Sequence, residues 1–392
     1  MTSILYISPL WSGAEDFLTQ GSDEFKGMPA FAKVLMGAIN SDRIERVYGV
    51  FFSRKPLKTN ISPQFSSKLE IRVVHYMSVT EMFVKLPFFI IYVSFLILKW
   101  KINLVFGHGS IGAIGGIASR LTGVDYCQRI YGTFLINEIN KPNWMLLMKH
   151  PLEFLAFKMD SIATIITNDG THGDRVFRKI NGHTDRLHFL LNGVDKESVE
   201  SKTKSTTGKR IISYIARIDK WKRQHLLINA LVVLKELGVN DVHGVFVGPI
   251  INDDYLEELR SELKKHNLND RVEFMGAVSS FKAREVMMSS WITCSFYHTS
   301  NLGNVALESF ARGIPLLAIN CNDSMGSIPS DLYISVSDSP KDIAIAIQSL
   351  SNNDDSLNEM ASNAKAWCDE NLLSWNARAT YELNIISRYK DD

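Results

Sequence analysis

The feature that most constrains this sequence is a regular alternation, present in both halves, of short apolar runs with longer helical or irregular stretches. Such alternation predicts βα units and a parallel sheet, because parallel strands need a crossover connection. The sequence therefore predicts an α/β fold with two Rossmann-like, doubly wound sheets in tandem. The runs occupy residues 3–7, 46–52, 70–76, 103–106, 125–131, 163–167 and 187–191 in the first half, and 210–216, 242–247, 271–274, 292–297, 315–319 and 333–336 in the second.

A polar stretch at residues 196–209 separates the two halves. Its one large apolar residue is Val199, and such a composition is typical of a solvated linker. A chain of 392 residues is also too long for one ordinary core. We therefore expect four segments, namely a first domain at 1–191, a hinge at 192–209, a second domain at 210–370 and a C-terminal segment at 371–392.

The charge balance argues against a nucleic-acid partner. The chain has 43 lysines and arginines and 42 aspartates and glutamates, whereas a polyanion binder normally has a basic excess. Its cysteines, Cys127, Cys294, Cys321 and Cys368, are scattered without metal-ligand spacing, as is typical of reduced thiols in a cytosolic protein. The first residues lack the order of a signal peptide. We expect a cytoplasmic protein whose partner is a small molecule or a lipid-linked glycan.

One segment complicates this expectation. Residues 86–98 (LPFFIIYVSFLIL) are almost wholly apolar and are flanked by Lys85, Lys99 and Lys101. The segment is too short to span a bilayer as a helix, which takes about 20 residues. It is either a buried helix of the first domain or an interfacial helix, held to the inner face of an anionic membrane by its apolar side and its lysines. The basic and apolar stretch 144–158 favours such a peripheral contact.

Ligands of doubly wound sheets bind beyond the carboxyl ends of the strands. The GxGxxG fingerprint of dinucleotide enzymes does not follow the first strand, and no GxxxxGK[ST] phosphate loop occurs. Arg217 and Lys222 follow the predicted strand 210–216, ahead of a helix expected at 224–237. A guanidinium there can make forked hydrogen bonds to an anion, and an ammonium adds a point charge. A solvated basic turn is the alternative.

A second anion site is predicted within residues 300–308 (SNLGNVALE), which follow a predicted strand. We expect a helix to begin near Gly303, so that the amides of Gly303, Asn304 and Val305 are available to a phosphate. Glu308 lies four residues after Asn304 and hence on the same face, where a carboxylate suits the hydroxyls of a ribose. An ordinary amphipathic helix with a solvated glutamate is the alternative.

In their order and spacing these residues resemble the retaining GT-B glycosyltransferases of family GT4. The resemblance covers roughly residues 192–381, about half of the chain. It rests on Arg217 with Lys222, Val247-Gly248, Val272-x-Phe274-x-Gly276, the block at 300–308 and Leu373-Ser374-Trp375. It implies two Rossmann-like domains facing a cleft, the first for the acceptor and the second for a nucleotide-sugar, with the last helix returning to the first domain.

The resemblance also implies roles for single residues. Arg217 and Lys222 would be catalytic, because they would stabilise the charge on the donor diphosphate as the sugar leaves. The donor-binding residues would be Gly13, Ser300, Gly303, Asn304, Val305 and Glu308. The enzyme would be a hexosyltransferase that uses a UDP- or GDP-sugar, without a metal ion or other cofactor. It would transfer the sugar with retention to a glycan or lipid-linked glycan, in the synthesis of a bacterial surface polysaccharide or lipopolysaccharide.

Two positions depart from the family's pattern. The usual block is Glu-x7-Glu, and the position of its first glutamate is Ser300 here. The family's histidine before a glycine, at the end of a first-domain strand, is Tyr131 before Gly132. Both positions lie on the sugar and acceptor side, so the resemblance implies nucleotide binding and leaves the sugar open.

Four residues near strand ends of the first half are candidates for contact with the acceptor, namely His108, Arg129, Tyr131 and Asp169. His108 stands between two glycines, in what we expect to be a loop after the strand 103–106. There it would donate a hydrogen bond or act as a base, unless it is satisfied by backbone groups. Arg129 and Tyr131 share one face of a predicted strand, and Asp169 follows another.

Two other functions stay open. A nucleotide-sugar epimerase with the GT-B fold would share the donor side and would convert the donor without an acceptor. A catalytically weak relative that only binds nucleotide-sugars would be consistent with the changes at Ser300 and Tyr131.

Overall fold

The structure is a computed structural model that describes residues 2–11, 14–20, 29–55, 65, 67–196, 208–299, 301–319, 325–326, 328–351 and 353–391. The chain forms two compact units. One comprises Met1–Gly193 and Trp375–Asp392, and the other comprises Val194–Ser374. Most of the predicted hinge (197–207) and two predicted donor-binding residues, Gly13 and Ser300, lie outside the described residues.

Within the described residues, the first unit contains a seven-stranded parallel sheet. Its strands are β1 (Thr2–Pro9), β2 (Ile44–Ser53), β3 (Leu69–His75), β4 (Leu104–His108), β5 (Asp125–Ile130), β6 (Ala163–Thr167) and β7 (Leu187–Leu190). Their order in space is β3-β2-β1-β4-β5-β6-β7. The chain thus winds outward in both directions from β1 and β4, and their carboxyl ends mark the switch point where ligands of such sheets bind.

The helices of this unit cover both faces of the sheet, as a parallel sheet requires. They are α1 (Ala14–Gln20), α2 (Pro29–Asn40), α3 (Val79–Val84), α4 (Leu86–Lys99), α5 (Gly112–Thr122), α6 (Asn143–Lys149), α7 (Pro151–Lys158), α8 (Gly173–Asn181) and, from the far end of the chain, the last helix (Trp375–Asp391). The last helix packs against α2, where Gly37 meets Ala379 and Leu383.

Two buried clusters line the faces of the first sheet, and β1 contributes to both. Ile4 and Tyr6 belong to one cluster, whereas Leu5 and Ile7 belong to the other. This alternation follows from the pleat, which points successive side chains to opposite faces. The second cluster also contains α5, where a Cβ atom on Gly115 would lie 2.6 Å from Ile7. Glycine there lets α5 approach the sheet closely.

The second unit contains a six-stranded parallel sheet within the described residues. Its strands are β8 (Arg210–Ile215), β9 (Val242–Val247), β10 (Val272–Gly276), β11 (Ile292–Ser295), β12 (Leu316–Ile319) and β13 (Ile334–Val336), in the spatial order β10-β9-β8-β11-β12-β13. Its helices are α9 (His225–Glu236), α10 (Asp253–Lys265), α11 (Ser280–Met288), α12 (Asn304–Ala311), α13 (Pro340–Leu350) and α14 (Asp354–Asn371). The last helix of the chain is α15. β8 and β11 are adjacent at the switch point of this sheet.

The prediction of two doubly wound sheets is confirmed, and every predicted apolar run overlaps one of the strands. Several strand ends differ from the predicted runs by one or two residues, and two of these differences concern candidate site residues or their neighbours. β4 continues to His108, which we expected in a loop, because His108 stays in register with Arg129 of β5. β11 ends at Ser295 and not at Tyr297, because the side chain of Asn301 binds both backbone groups of Tyr297 in place of a neighbouring strand.

Candidate functional site

The second unit presents a turn of basic residues at the carboxyl end of β8. Arg217 follows the strand, is exposed, and lies 3.6 Å from Asp219. The neighbouring strand end approaches so closely that a Cβ atom on Gly248, whose φ is +150°, would lie 2.2 Å from the carbonyl oxygen of Ala216. This position therefore requires glycine, and the close approach fixes the backbone from which Arg217 projects.

Local hydrogen bonds hold the turn after Arg217. The carboxylate of Asp219 caps a short 3-10 turn, Lys220–Lys222, by accepting from the backbone N–H of Trp221 at 2.9 Å. The buried side chain of Gln224 donates to the carbonyl of Arg217 at 2.8 Å, and the phenol of Tyr214 donates to the carbonyl of Lys222. The backbone that carries both predicted catalytic cations is thus tied to the core of the unit.

The ammonium of Lys222 lies over two aromatic rings. Its Nζ is 4.1 Å from the ring centre of Trp221 and 3.6 Å from that of Tyr297, and the two rings stack with centres 5.8 Å apart. Each cation–π contact contributes about 0.5–2 kcal/mol, depending on how far the ammonium is removed from water. We call Lys222, Trp221 and Tyr297 the lysine cage.

The loop from β11 to α12 is organised by Asn301, which is 1% exposed. Its amide oxygen accepts from the backbone N–H of Tyr297 and from the hydroxyl of Ser295, both at 3.0 Å. Its amide nitrogen donates to the carbonyls of Tyr297, at 2.6 Å, and Ile319, at 2.7 Å. The amide oxygen thus accepts two hydrogen bonds and the amide nitrogen donates two. Together these bonds fix the conformation of the loop that leads into α12.

The helix α12 begins as the sequence predicts. Gly303 is its N-cap, with φ −87° and ψ −174°, and glycine supplies no side chain to cover the first amides of the helix. Gly303, Asn304 and Val305 are half-buried. Glu308 is also partly exposed, and its carboxylate lies 3.8 Å from the buried guanidinium of Arg312. The helix end therefore combines a positive dipole with one anchored carboxylate.

These elements meet at Tyr297. Its ring contacts Lys222, and its backbone is bound by Asn301 next to α12. The two cations and the start of α12 thus gather at the adjacent carboxyl ends of β8 and β11. Such a cluster can bind an anion with two or more negative oxygens and stabilise further charge on it.

In the first unit, the buried His108 and the partly exposed Tyr131 form an aromatic pair at the ends of β4 and β5. Nδ1 of His108 lies 2.8 Å from the phenol oxygen of Tyr131, and the imidazole stacks on Tyr6 with ring centres 3.8 Å apart. Burial, and secondarily the charge of Arg129, lower the pKa of His108 well below its usual range. His108 is therefore a neutral imidazole at pH 7, and it contacts the protein interior rather than a surface loop.

Arg129 lies entirely in the interior. Its Nε donates to the carboxylate of Glu382 in α15 at 3.0 Å, its NH1 donates to Ile130 and Thr167, and its guanidinium lies 4.5 Å from the ring centre of Tyr131. Glu382 is fully buried as well and also pairs with Arg378 at 2.5 Å. Sequence reasoning did not find Glu382, which is 253 residues away from Arg129.

Asp169 supports the backbone beside Tyr131. Its carboxylate accepts from the backbone N–H and the hydroxyl of Thr171, at 3.0 and 2.6 Å, and Thr171 in turn accepts from the backbone N–H of Thr133. A Cβ atom on Gly132 would lie 2.5 Å from Asp169. The four acceptor candidates of the first unit therefore lie close together, with Tyr131 and Asp169 partly exposed and His108 and Arg129 buried.

A cavity of about 430 Å³ opens next to Tyr131. Aromatic and aliphatic side chains dominate its lining, which includes Trp11, Val79, Phe83, Tyr131, Phe134 and Leu152. Polar groups at its edge come from Ser110, Lys149 and Glu153. A mainly apolar hollow with a few polar groups is typical of a site for a small or amphipathic ligand.

An exposed apolar stripe runs along α3 and α4 beside this cavity. One face of α4 is buried through Phe89, Val93, Leu96 and Ile97. The opposite face of α4 exposes Phe88, Ile91, Phe95 and Leu98, and the end of α3 exposes Val84, each by 56–70%. On α6, Trp144 and Met148 are also exposed. Lys149, the last residue of α6, lines the same cavity as Val79 and Phe83 of α3. The prediction of a buried helix at residues 86–98 is thus confirmed for one face of α4, and the interfacial helix stays a prediction. Among the described residues, no helix is long and apolar enough to cross a membrane.

A model of one protein family matches most of the second unit. Residues 195–367 match the family of glycosyl transferases group 1. The matched span includes Arg217, Lys222, Asn301 and Glu308, and with them the whole lysine cage. No curated protein sequence matches the chain.

Solved structures resemble the chain over its full length. Anabaena Alr3699/HepE in complex with UDP-glucose is 16% identical, with 98% of this chain and 100% of that chain covered and a TM-score of 0.69. Sucrose-phosphate synthase from Thermosynechococcus elongatus is 15% identical, with 99% of each chain covered and a TM-score of 0.74. The lipopolysaccharide outer core galactosyltransferase WaaB, in its apo form, is 12% identical, with 99% of each chain covered and a TM-score of 0.66. These likenesses show the GT-B fold.

Proposed function

We propose that the protein is a retaining glycosyltransferase of family GT4 that moves a sugar from a nucleotide diphosphate to a glycan or lipid-linked glycan. The observation that supports it most is the anion site of the second unit, where Arg217, Lys222 and the start of α12 gather around Tyr297. The family match over residues 195–367 covers this site. A UDP- or GDP-sugar fits it, because a diphosphate needs several cationic and amide donors.

In this proposal Arg217 and Lys222 bind the diphosphate and stabilise the charge that grows on it as the bond to the sugar breaks. The amides of Gly303, Asn304 and Val305 bind phosphate or sugar oxygens, and Glu308 accepts from the ribose hydroxyls. Because two side-chain cations neutralise the leaving group, we expect transfer without a metal ion. Gly13 and Ser300 are expected to contact the phosphate and the sugar, respectively.

Retention follows from attack on the front face of the sugar. The acceptor oxygen forms its bond to the anomeric carbon on the side from which the diphosphate leaves. The bond between that carbon and the phosphate oxygen breaks, and the acceptor proton passes to the departing diphosphate. Ser300 in place of a glutamate makes the orienting hydrogen bond to the transferred sugar weaker, so we expect this position to set sugar preference.

On the acceptor side we assign Tyr131 and Asp169 to direct contact, because both are partly exposed and Tyr131 lines the cavity. His108 and Arg129 act through Tyr131, whose phenol and ring they hold. The apolar lining of the cavity favours an acceptor with a lipid part.

We also propose that the exposed stripe of α3 and α4 contacts the inner face of the cell membrane. Aromatic and aliphatic side chains on one helix face, with Lys85, Lys99 and Lys101 at its ends, are typical of helices that lie in the interface of an anionic bilayer. A peripheral enzyme so placed would reach lipid-linked precursors of a surface polysaccharide. Binding to vesicles tests this part.

A thermal-shift panel of UDP, GDP and their sugar conjugates tests the donor site. A nucleotide at 100 times its dissociation constant adds about 2.7 kcal/mol to the free energy of unfolding. Lys222→Gln and Glu308→Gln should abolish the shift, and Lys264→Gln, an exposed lysine on α10, should preserve it. Equal shifts in all three variants would contradict the assignment of the donor site to Lys222 and Glu308.

Turnover assays then separate the remaining alternatives. A transferase consumes the donor slowly until a glycan acceptor is supplied, whereas an epimerase converts it alone. Tight donor binding without turnover on any acceptor would favour a binding protein, which the changes at Ser300 and Tyr131 would explain.

A further inference from the structure

We propose that Trp221 and Tyr297 are positioning residues, which hold the ammonium of Lys222 over two ring faces, ready for the diphosphate of the donor. This inference rests on the proposed function, because it assigns a task to residues around the same anion site. Neither ring belongs to the motifs that carry the family resemblance.

The geometry of the lysine cage supports this task. A lysine side chain has four rotatable bonds and in water samples many positions. Here the ammonium lies within 4.1 Å of one ring centre and 3.6 Å of the other, so one position is selected. The rings themselves are fixed, because Asp219 binds the backbone of Trp221 and Asn301 binds that of Tyr297. The ordering of Lys222 is thereby completed before a ligand arrives.

Aromatic faces suit this purpose for an electrostatic reason. A ring attracts an ammonium through its quadrupole and carries no formal charge. It therefore fixes the position of the cation without cancelling the charge that a phosphate is to meet. A carboxylate in the same place would bind Lys222 more strongly and would repel the diphosphate.

The chain offers a matched control for substitutions in the cage. At the amino ends of the same two strands, β8 and β11, Arg210 lies 5.4 Å from the ring centre of Trp291. Trp291→Leu thus removes a tryptophan and a cation–π contact of the same unit without touching the anion site. The test variants are Trp221→Leu and Trp221→Phe. Tyr297 is more deeply buried, so Tyr297→Leu is included only if its melting temperature equals that of the wild type.

The first measurement reports the cage directly. Lysines are converted to their ¹³C-dimethyl forms and the methyl signals are recorded, with Lys222→Arg identifying the signal of Lys222. The ring faces should shift this signal upfield. Trp221→Leu should move it back toward the exposed lysines, and Trp291→Leu should leave it in place. A wild-type signal at the position of the exposed lysines would overturn the cage.

The second measurement tests whether the lysine cage contributes to nucleotide binding. Calorimetric titration gives the dissociation constants of UDP and of GDP at several salt concentrations. We expect Trp221→Leu to raise the dissociation constant about fivefold, with Trp221→Phe in between, since one cation–π contact is lost or weakened. The slope of affinity against salt should stay as in the wild type, because the charge is still present. Lys222→Gln should reduce that slope.

The outcomes separate the two proposals. If a nucleotide binds wild type and Trp221→Leu equally well, the positioning role is overturned and the proposed function stands. A reduced salt slope in Trp221→Leu would also overturn it, because the tryptophan would then act on the charge itself. If neither nucleotide binds the wild type, the proposed function fails and the donor role of the cage fails with it, although the upfield methyl signal remains.

Discussion

Nδ1 of His108 lies 2.8 Å from the phenol oxygen of Tyr131 in the first unit. The imidazole stacks on Tyr6, and the guanidinium of Arg129 lies over the ring of Tyr131. Burial and the neighbouring guanidinium disfavour the charged imidazole, so that the pKa of His108 lies well below its usual range. The pair is thus built for a neutral histidine.

This relationship predicts a pH dependence of stability. In the unfolded chain His108 binds a proton near pH 6.5, whereas in the folded chain it does so only at lower pH. The contribution of His108 to stability is therefore present above pH 6.5 and is lost as the pH falls, by up to about 1.4 kcal/mol per pH unit. Urea unfolding at pH 7.5 and 5.5 should show a smaller difference for His108→Asn than for wild type. Three other histidines with lowered pKa values are present in both the wild type and the variant, so their effect cancels in the comparison, namely His188, His225 and His243. Equal differences would show that His108 titrates normally.

The ion pair between Arg129 and Glu382 predicts a large effect on stability. Both side chains are fully buried, and Arg378 adds a second guanidinium, whose pKa burial lowers to about 10. Glu382→Gln leaves two buried cations without their counter-charge, which should lower the free energy of unfolding by about 3–5 kcal/mol. Asp369→Asn, which breaks the exposed pair with Lys365, should cost less than about 0.5 kcal/mol. Comparable losses in urea unfolding for both variants would contradict a special role for Glu382.

Asn301 is expected to control both the stability of the second unit and its anion site. Asn301→Ala removes three hydrogen bonds to buried backbone groups of Tyr297 and Ile319, at about 1–3 kcal/mol for each bond. The free energy of unfolding should fall by at least about 3 kcal/mol, and UDP or GDP should bind more weakly because the loop before α12 is released. Asn358→Ala, on the exposed side of α14, should change neither quantity. Unfolding in urea and calorimetric titration provide the two measurements.

The exposed stripe predicts binding to anionic vesicles. Replacing Phe88, Ile91 and Phe95 by serine should abolish flotation with phosphatidylglycerol-containing vesicles, because each of these side chains is more than half exposed and can enter the bilayer interface. Phe281→Ser, which removes a similarly exposed aromatic on α11, should float like the wild type.

The lysines at the ends of the stripe make a separate contribution. Lys99→Gln with Lys101→Gln should weaken binding at least tenfold at low salt, since each lysine near an anionic surface contributes about 1 kcal/mol. If the wild type fails to float, or if the serine variant changes from a dimer to a monomer in sedimentation, the stripe is an interface between protein chains and the bilayer proposal fails.

Most of the fold could be predicted from the sequence because its signals are local. Most strands are short apolar runs, and each of the thirteen expected runs overlaps one strand. The glycine at the start of α12 could be read in the same way, since an N-cap depends on its neighbours in the chain. His108 was placed in a loop because the glycines beside it are common in turns, while its packing against Tyr6 has no local signal.

The missed features depend on distant contacts. Tyr297 and Lys222 meet only because β8 and β11 are adjacent in space, and Glu382 reaches Arg129 from the other end of the chain. The exposed side of α4 could not be predicted for another reason. Nearly all of its residues are apolar, so no periodicity distinguishes the side that faces α5 from the side that faces solvent.

The packing of α15 has a consequence for how the protein is made. The first unit is discontinuous, since its final helix is synthesised only after the whole second unit. Until Glu382 leaves the ribosome, Arg129 has no counter-charge and the surface of α2 around Gly37 has no cover. We therefore expect the second unit to reach its native state first during translation. The first unit should complete its folding only when the seventeen-residue helix α15 has been synthesised, and until then it should be accessible to chaperones.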